Sequence, residues 1–188
     1  MDKNQIISKI NKAVSGSVLE ARRFGRSDVH SIWVEAQAIH RVAEVLKSDP
    51  DFSIDFIENL SVFELAEALV LTYFVRPSSE PSCRFVLRAS IVLPDPLKEV
   101  EMPSIALVWP MGAAMEQEAE EMFGIRFKII CGEDVDCLSS NFSRQFSNRL
   151  PHGFEGFPLR KKFQVHHDKL GTMNRPLTDS SNEQKKSK

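Results

Sequence analysis

Ionisable side chains are concentrated in the segment EQEAEEMFGIRF, residues 116–127, which carries four glutamates before a glycine. Glu120 and Glu121 fall in the predicted last turn of a helix, where the partial negative charge of the C-terminus disfavours carboxylates by roughly 0.3–1 kcal/mol. Gly124 suits the left-handed position that follows such a turn, so we expect it to end the helix. Carboxylates placed here favour contacts with cations, either from another chain or from the tail of this one. A solvated acidic helix is the simpler alternative.

The spacing within this helix predicts one apolar face, formed by Met115, Ala119, Met122 and Phe123. Glu118 lies three residues after Met115 and four before Met122, so we expect it to border that face. The remaining glutamates, Glu116, Glu120 and Glu121, are expected elsewhere around the helix.

A second group of chemically distinctive residues is LPHGFEGFPLRKKF, residues 150–163. Two glycines, two prolines and three phenylalanines flank the basic triplet 160–162, a composition that disfavours both helix and strand. It is typical of an extended arm with aromatic anchors, and we expect Arg160 to pair bidentately with a carboxylate. A flexible linker is the alternative.

The cysteines and histidines give weaker signals. Cys131 and Cys137 have five residues between them, whereas zinc ligands are usually separated by two to four, and four ligands are not available. A thiol–disulfide pair remains open. His166-His167 and His152 are weak metal candidates, and no GxGxxG, GxSxG or Walker motif occurs.

Composition indicates a globular protein with one core. The chain has 188 residues, 42% hydrophobic and 27% charged, and a net charge of −2 that excludes a generally basic nucleic-acid binder. From residue 158 onward, eight Lys/Arg face three Asp/Glu, so a basic tail follows an acidic body. The N-terminus does not resemble a secretory signal, and the longest apolar run, residues 68–75, is too short to span a bilayer. Three cysteines favour a reducing compartment.

Hydrophobic periodicity predicts the elements that would position these residues. Ile6, Ile7, Ile10 and Val14 indicate a first helix; Ile39, Val42, Ala43 and Leu46 indicate a second, which Asp49-Pro50 should end. A third helix is expected over 112–123.

Strands are predicted at 18–24 and 29–35, around a turn at 25–28, and at 64–75, 83–93 and 125–130. Residues 52–60 are expected to form a short strand leading into a turn.

This order predicts an α+β fold, with helices packed on a mixed, mainly antiparallel sheet and followed by an extended C-terminal arm. We divide the chain into an α+β domain (1–130), a partner-binding arm with an insert (131–165) and a disordered polar tail (166–188).

The two segments together resemble the C subunit of the proton-pumping NADH:quinone oxidoreductases, respiratory complex I. The family reads Glu-Arg-Glu, two residues, Asp-Met-Phe-Gly-Ile, and later Gly-His-Pro-Leu-Arg-Lys-Asp. Both are recognisable here, with Gln117, Glu121, Phe157 and Lys162 as departures. The resemblance covers roughly residues 15–165.

The resemblance implies a non-catalytic scaffold in the hydrophilic arm of the complex, in contact with the D, B and I subunits. It also implies a chain without its own cofactor, because iron–sulfur clusters and FMN reside in partner subunits. The expected location is peripheral, on the cytoplasmic side of the bacterial inner membrane or the matrix side in mitochondria. The partner-binding residues it indicates are Glu116, Glu118, Glu121, Phe123, Gly124, Ile125, Glu155, Gly156, Pro158, Leu159, Arg160 and Lys161.

Two alternatives stay open: the equivalent subunit of a membrane-bound nickel–iron hydrogenase or formate hydrogenlyase, and a stand-alone thiol or ligand-binding domain. For the scaffold we predict that Arg160→Ala or Glu118→Ala reduces assembly more than it reduces folding of the isolated chain.

Overall fold

The strand-forming sequences between residues 18 and 92 assemble into a single five-stranded sheet. The computed structural model describes residues 3–23, 29–131, 134–135, 149–151 and 154–163. Its helices are α1 (Lys3–Ala13), α2 (Ile39–Ser48) and α3 (Gly112–Phe123), with a 3-10 turn at Ala36–Ala38. Its strands are β1 (Val18–Arg23), β2 (His30–Val34), β3 (Phe56–Leu65), β4 (Ala68–Arg76), β5 (Phe85–Val92), β6 (Val100–Pro103), β7 (Ile125–Lys128), β8 (Ile130–Cys131) and β9 (Asp134–Val135).

The strand order is β1-β2-β5-β4-β3. Only β2 and β5 run parallel, while the other three neighbouring pairs are antiparallel. Two small ladders lie outside this sheet, a parallel one between β6 and β7 and an antiparallel one between β8 and β9. The prediction of a mixed, mainly antiparallel sheet with packed helices is therefore confirmed.

One face of the sheet carries the core. Alternate β4 residues, including Leu69, Leu71 and Tyr73, are fully buried and form one core cluster with buried apolar residues of all three helices. The predicted apolar face of α2 is confirmed, since its four residues are all inaccessible to solvent. Trp109 joins this core and donates its indole N–H to the Ile54 carbonyl at 2.9 Å, which anchors the segment before α3.

The β3–β4 hairpin corrects two predictions. Residues 52–60 are not a short strand before a turn, because β3 runs without a break from Phe56 to Leu65. Residues 64–75 do not form one strand: β3 continues to Leu65, and β4 begins at Ala68. Ala66 adopts a left-handed conformation with φ of 53° in the two-residue turn. The sequence concealed this turn, because it lacks the Gly, Asn or Asp that such turns usually use.

Several predictions fall outside the described residues: the turn at 25–28, most of the insert, and the polar tail. Where the division into domain, arm and tail should be drawn stays a prediction. Within the described ranges, no helix has both the length and the apolar character to cross a membrane.

Candidate functional site

Helix α3 brings the first motif to the core side of β3 and ends it at a glycine. Gly124 has φ of 63° and ψ of 46°, and its N–H donates to the Glu120 carbonyl at 2.8 Å. This is the left-handed helix end that the sequence predicts, at a position where a side chain would be strained.

Glu116 is the buried glutamate of the helix. Only 4% of it is exposed, and its two carboxyl oxygens accept hydrogen bonds from the Ser104 hydroxyl at 2.5 Å and the Ile105 N–H at 2.7 Å. Burial raises the pKa of this carboxyl to about 8, although both hydrogen bonds act in the opposite direction. The Ser104 carbonyl in turn accepts a hydrogen bond from Nδ1 of buried His40, a residue of α2, at 2.7 Å. The segment that leads into α3 is therefore hydrogen-bonded both to Glu116 of α3 and to α2.

The sequence interpretation placed the first two glutamates of the motif, Glu116 and Glu118, wrongly. Glu118, expected at the border of the apolar face, is exposed and forms an ion pair with Arg149 at 2.9 Å. Glu116 occupies the centre of the buried face because it stands one turn from Ala113 and Ala119. The sequence interpretation relied more on the large side chains of Met115 and Met122 than on the small alanines, but both methionines are only partly buried.

Glu121 connects the helix to the downstream chain. Its carboxylate accepts hydrogen bonds from the backbone N–H groups of Arg149 and Leu150, at 2.7 and 3.2 Å, and from the Gln117 amide at 3.0 Å. Glu120 is half-buried, and burial raises its pKa, with nearby Glu99 as a smaller cause. The outward side of α3 therefore holds residues 149–150 against it.

The arm closes the C-terminal end of α3. The Leu159 N–H donates to the Met122 carbonyl at 3.1 Å, which satisfies one of the carbonyl groups that a helix leaves unpaired. Gly156, with φ of 91°, turns the arm toward the helix, and Phe154 stacks on Phe163 with ring centroids 5.8 Å apart. Two distant segments thus meet at one helix end.

Arg160 is the centre of this contact and is 3% exposed. Its Nε donates to the Phe123 carbonyl at 2.7 Å and its Nη2 to the Gly124 carbonyl at 3.2 Å. Its Nη1 reaches the Pro96 and Lys98 carbonyls at 2.9 and 2.5 Å. A cation at a helix C-terminus complements the partial negative charge there.

The prediction that Arg160 pairs with a carboxylate is wrong for the described residues, because all four of its hydrogen bonds end on carbonyls. Burial lowers its pKa, and the charges of Glu64, Asp95 and Glu99 oppose that shift from a distance. The guanidinium cannot lose its charge, and four of its five N–H groups donate to these carbonyls.

Phe157 fits against the helix end where the family pattern has a histidine. Its ring lies 4.4 Å from the guanidinium carbon of Arg160, a cation–π contact. A Cβ added at Gly124 would lie 2.4 Å from this ring. Gly124 therefore has two roles. It adopts the left-handed conformation that ends the helix, and its lack of a side chain leaves room for the Phe157 ring of the arm.

The other predicted site residues are distributed around this contact. Phe123 and Ile125 are buried, Pro158 is half-buried, and Glu155, Gly156 and Leu159 are exposed. The Lys161 N–H donates to the Glu64 carboxylate at 2.8 Å while its side chain is exposed. A partner contact by any residue of the set stays a prediction, and Glu116 and Arg160 are enclosed by their own chain.

Sequence reasoning missed Ser104, Arg149 and Glu64. Ser104 had a signal, since it opens the Ser-Ile-Ala lead-in to the helix, where a hydroxyl close to an acidic helix favours a hydrogen bond. Arg149 and Glu64 had none, because each lies far in sequence from its partner.

Metal and thiol candidates receive no support from the described ranges. No cluster of three His, Cys, Asp or Glu residues with metal-binding geometry occurs there. Of Cys131 only the backbone is described, and Cys137, His152 and His166-His167 lie outside. The chemistry that this site shows is recognition between segments, through charge-assisted hydrogen bonds and aromatic packing.

A family model, the 30-kDa subunit of respiratory-chain NADH dehydrogenase, matches residues 32–169. The chain belongs to this family. Two relatives, each named as the C subunit of NADH-quinone oxidoreductase, come from Roseiflexus sp. (strain RS-1) and Roseiflexus castenholzii. They are 27% and 26% identical over 163 residues, covering 86% of this chain and 83% of theirs. The resemblance drawn from the two motifs is confirmed.

Solved structures show the same fold. A chain in the structure of the membrane-bound sulfane sulfur reductase, an archaeal respiratory membrane complex, matches with a TM-score of 0.62 at 16% identity, covering 98% of both chains. A trypsin-resistant fragment of Nqo5 matches with a TM-score of 0.51 at 14% identity, covering 68% of this chain and 96% of the fragment. At these identities, the likeness establishes the fold alone.

Proposed function

We propose that this chain is a non-catalytic subunit of the hydrophilic arm of a proton-translocating NADH:quinone oxidoreductase. In that role it scaffolds the D, B and I subunits, while electrons pass from NADH to quinone through FMN and iron–sulfur clusters held by partners. It sits peripherally, on the cytoplasmic side of a bacterial inner membrane or on the matrix side in mitochondria. The observation that carries the proposal is the family match over residues 32–169.

The geometry of the motifs supports a scaffold. Their polar groups are used in contacts that fix one segment on another: Glu116 with Ser104, Glu121 with residues 149–150, and Arg160 with four carbonyls. The contacts of Glu121 and Arg160 fix residues 149–150 and the arm on α3. A rigid surface loses little conformational entropy when it binds, which favours a structural role.

Purification from native membranes tests the proposal. The chain would be tagged at its C-terminus, solubilised in mild detergent and captured, and the captured proteins identified by mass spectrometry. We expect the D, B and I subunits, with NADH-dependent quinone reduction in the eluate. Capture of a chain without partners would contradict the proposal.

The same experiment separates the sister complexes. A large partner protein with nickel-binding cysteines, together with hydrogen-dependent activity, would assign the chain to a membrane-bound hydrogenase. Since the fold also occurs in a chain of the sulfane sulfur reductase structure, the partner and its activity decide between these complexes.

A further inference from the structure

The two edges of the main sheet differ in how well they are protected from pairing with another strand. The edge strand β1 has six residues, three of them charged, and its register shifts between Val18 and Glu20. Shortness, charge and an irregular register are features by which proteins block strand pairing at an edge. The opposite edge strand, β3, has ten residues. It is the edge better suited to a further strand.

The part of β3 that follows its own register shift, between Ile57 and Asn59, is regular and uncharged on its exposed side. Residues 59–65 pair with β4 without interruption, and we call them the β3 edge. Their exposed side chains are Asn59, Ser61, Phe63 and Leu65. No exposed lysine or proline lies along them to discourage pairing.

Both carboxylates of β3 have partners in this chain. Glu58, at the register shift, forms ion pairs with Arg76 at 2.8 Å and with Arg84 at 3.3 Å. Glu64 accepts the Lys161 N–H at 2.8 Å, which brings the arm to the C-terminal end of the strand. These charges stabilise the chain itself and do not protect the edge.

The backbone of the β3 edge offers hydrogen bonds that β4 does not use. In an antiparallel edge strand, the N–H and C=O groups of alternate residues are directed away from the sheet. Across the residues that the structure describes, the backbone of β3 is hydrogen-bonded to β4 alone. Alternating donors and acceptors at the spacing of a strand are matched by the backbone of another extended strand.

Two apolar side chains of the β3 edge are only partly covered. Leu60 and Val62 pack against the core and lie opposite Tyr73 and Leu71 of β4. They are half-buried, whereas Tyr73 and Leu71 are inaccessible to solvent. A neighbouring strand with apolar residues on the core side would complete their burial.

We propose that the β3 edge pairs with an extended segment of a partner subunit, which adds a sixth strand to the five-stranded sheet. Alternate residues of that segment are apolar and lie beside Leu60 and Val62. The inference rests on the proposed function, and adds to it the position of a contact and the backbone chemistry of the partner.

A partner subunit is favoured over the chain's own tail and over a second copy of the chain. Residues 164–188 include eight charged residues, and their apolar residues do not alternate as those of a strand do. A second copy would bring a second Glu58 and a second Glu64 to the same joint, where like charges disfavour pairing. In the proposed function, by contrast, different protein chains adjoin this one.

Proline substitutions test the pairing in the full-length tagged chain, captured with its complex from native membranes. Of the neighbouring residues Ser61 and Val62, one directs its N–H to β4 and the other away from the sheet. One of Ser61→Pro and Val62→Pro should therefore lower the melting temperature of the isolated chain, while the other leaves it folded. The folded variant should recover partner subunits at least about tenfold less than the wild type, because proline donates no hydrogen bond and its ring keeps a neighbouring backbone away.

The matched control is the same pair of substitutions at the other edge, Ala21→Pro and Arg22→Pro in β1. The member of that pair that folds should recover partner subunits like the wild type.

Amide hydrogen exchange of the wild type gives a second measurement that does not depend on a variant that folds. Amides of the β3 edge that exchange rapidly in the isolated chain should exchange at least about tenfold more slowly in the captured complex. The outward amides of β1 should exchange alike in both.

The outcomes separate two failures. Equal recovery by the folded proline variant, or equal exchange of the β3 amides in the isolated chain and in the complex, would overturn the pairing while the proposed function stands. If the wild type recovers no partner, the proposed function fails and takes this inference with it. Slow exchange already present in the isolated chain would overturn the partner subunit as occupant. It would favour a second copy if dilution abolishes the protection, and the tail if removal of residues 164–188 does.

Discussion

The two ends of α3 bury ionisable side chains in different ways. Near its start, Glu116 takes hydrogen bonds from Ser104 and Ile105, both within 12 residues, and burial raises its pKa to about 8. At its end, Arg160 reaches carbonyls 36 to 64 residues away in sequence. A carboxyl can lose its charge when buried, whereas a guanidinium cannot and must be given acceptors.

The difference shows what each contact depends on. The Glu116 contact forms within a local stretch and varies with pH. The Arg160 contact requires the arm to return to the helix, and it is independent of pH over the physiological range. Closure of the α3 end is therefore a property of the long-range fold.

The largest effect is expected from Arg160→Ala, which would remove four hydrogen bonds to carbonyls and the cation at the helix end, although the Gly124 carbonyl would still accept the Val100 N–H at 3.0 Å. We expect a loss of about 3–5 kcal/mol in the free energy of unfolding of the isolated chain, measured by urea denaturation. This revises the expectation from sequence, in which assembly would suffer more than folding. Arg160→Lys should be intermediate, since an ammonium cannot reach all four acceptors. An unchanged unfolding midpoint for the alanine variant would contradict the central role of Arg160.

The pH dependence of stability tests the other end of α3. The folded-state pKa of Glu116, about 8, lies above its ordinary value of 4.5. Folding therefore retains the proton, so this contribution is complete below about pH 4.5 and is lost as pH rises toward 8. Glu116→Gln cannot ionise, so its stability should vary less over that range than the wild type's, by the equivalent of a few kcal/mol, measured as melting temperature against pH.

The control for this measurement is Glu118→Gln, which changes an exposed carboxylate of the same helix. It should follow the wild-type pH profile. A Glu116→Gln profile parallel to the wild type's would show that Glu116 is ionised in the folded chain throughout.

Gly124→Ala tests how closely the arm and the helix end fit. The added methyl meets both a left-handed backbone and the Phe157 ring, at 2.4 Å, so we expect a loss of about 2 kcal/mol in the free energy of unfolding. Combining it with Phe157→Ala should cost less than the sum of the two single changes, because the steric conflict is gone while the backbone strain remains. Strict additivity in this double-mutant cycle would argue against the contact.

The smallest effect is expected from Glu118→Ala. Its ion pair with Arg149 is half exposed on both sides, and such pairs contribute about 0–1 kcal/mol. The isolated chain should melt within a few degrees of the wild type, so any larger effect on assembly would come from a partner. Comparison of the melting temperature with the recovery of the complex therefore tests the prediction that Glu118→Ala reduces assembly more than it reduces folding.

Local sequence patterns were sufficient to predict much of the fold. Gly124 was predictable because the left-handed helix end is a local requirement, and the buried face of α2 was predictable from its spacing. The turn at Ala66 was not, because its residues lack turn chemistry and tertiary pairing imposes the conformation. The site was harder to predict from the sequence than the fold. The choice between Glu116 and Glu118 as the buried glutamate depended on small alanines. The partners of Arg160 are backbone carbonyls, which a sequence does not distinguish.

The scaffold role is tested most directly by depleting this chain from its native membranes and following what remains of the complex. NADH-dependent quinone reduction and the size of the complex on a native gel would be measured before and after adding back the full-length wild-type chain. A scaffold predicts that depletion separates the partner subunits and abolishes the activity, while their iron–sulfur clusters persist, and that the added chain restores both. A complex that stays assembled and active without the chain would contradict that role.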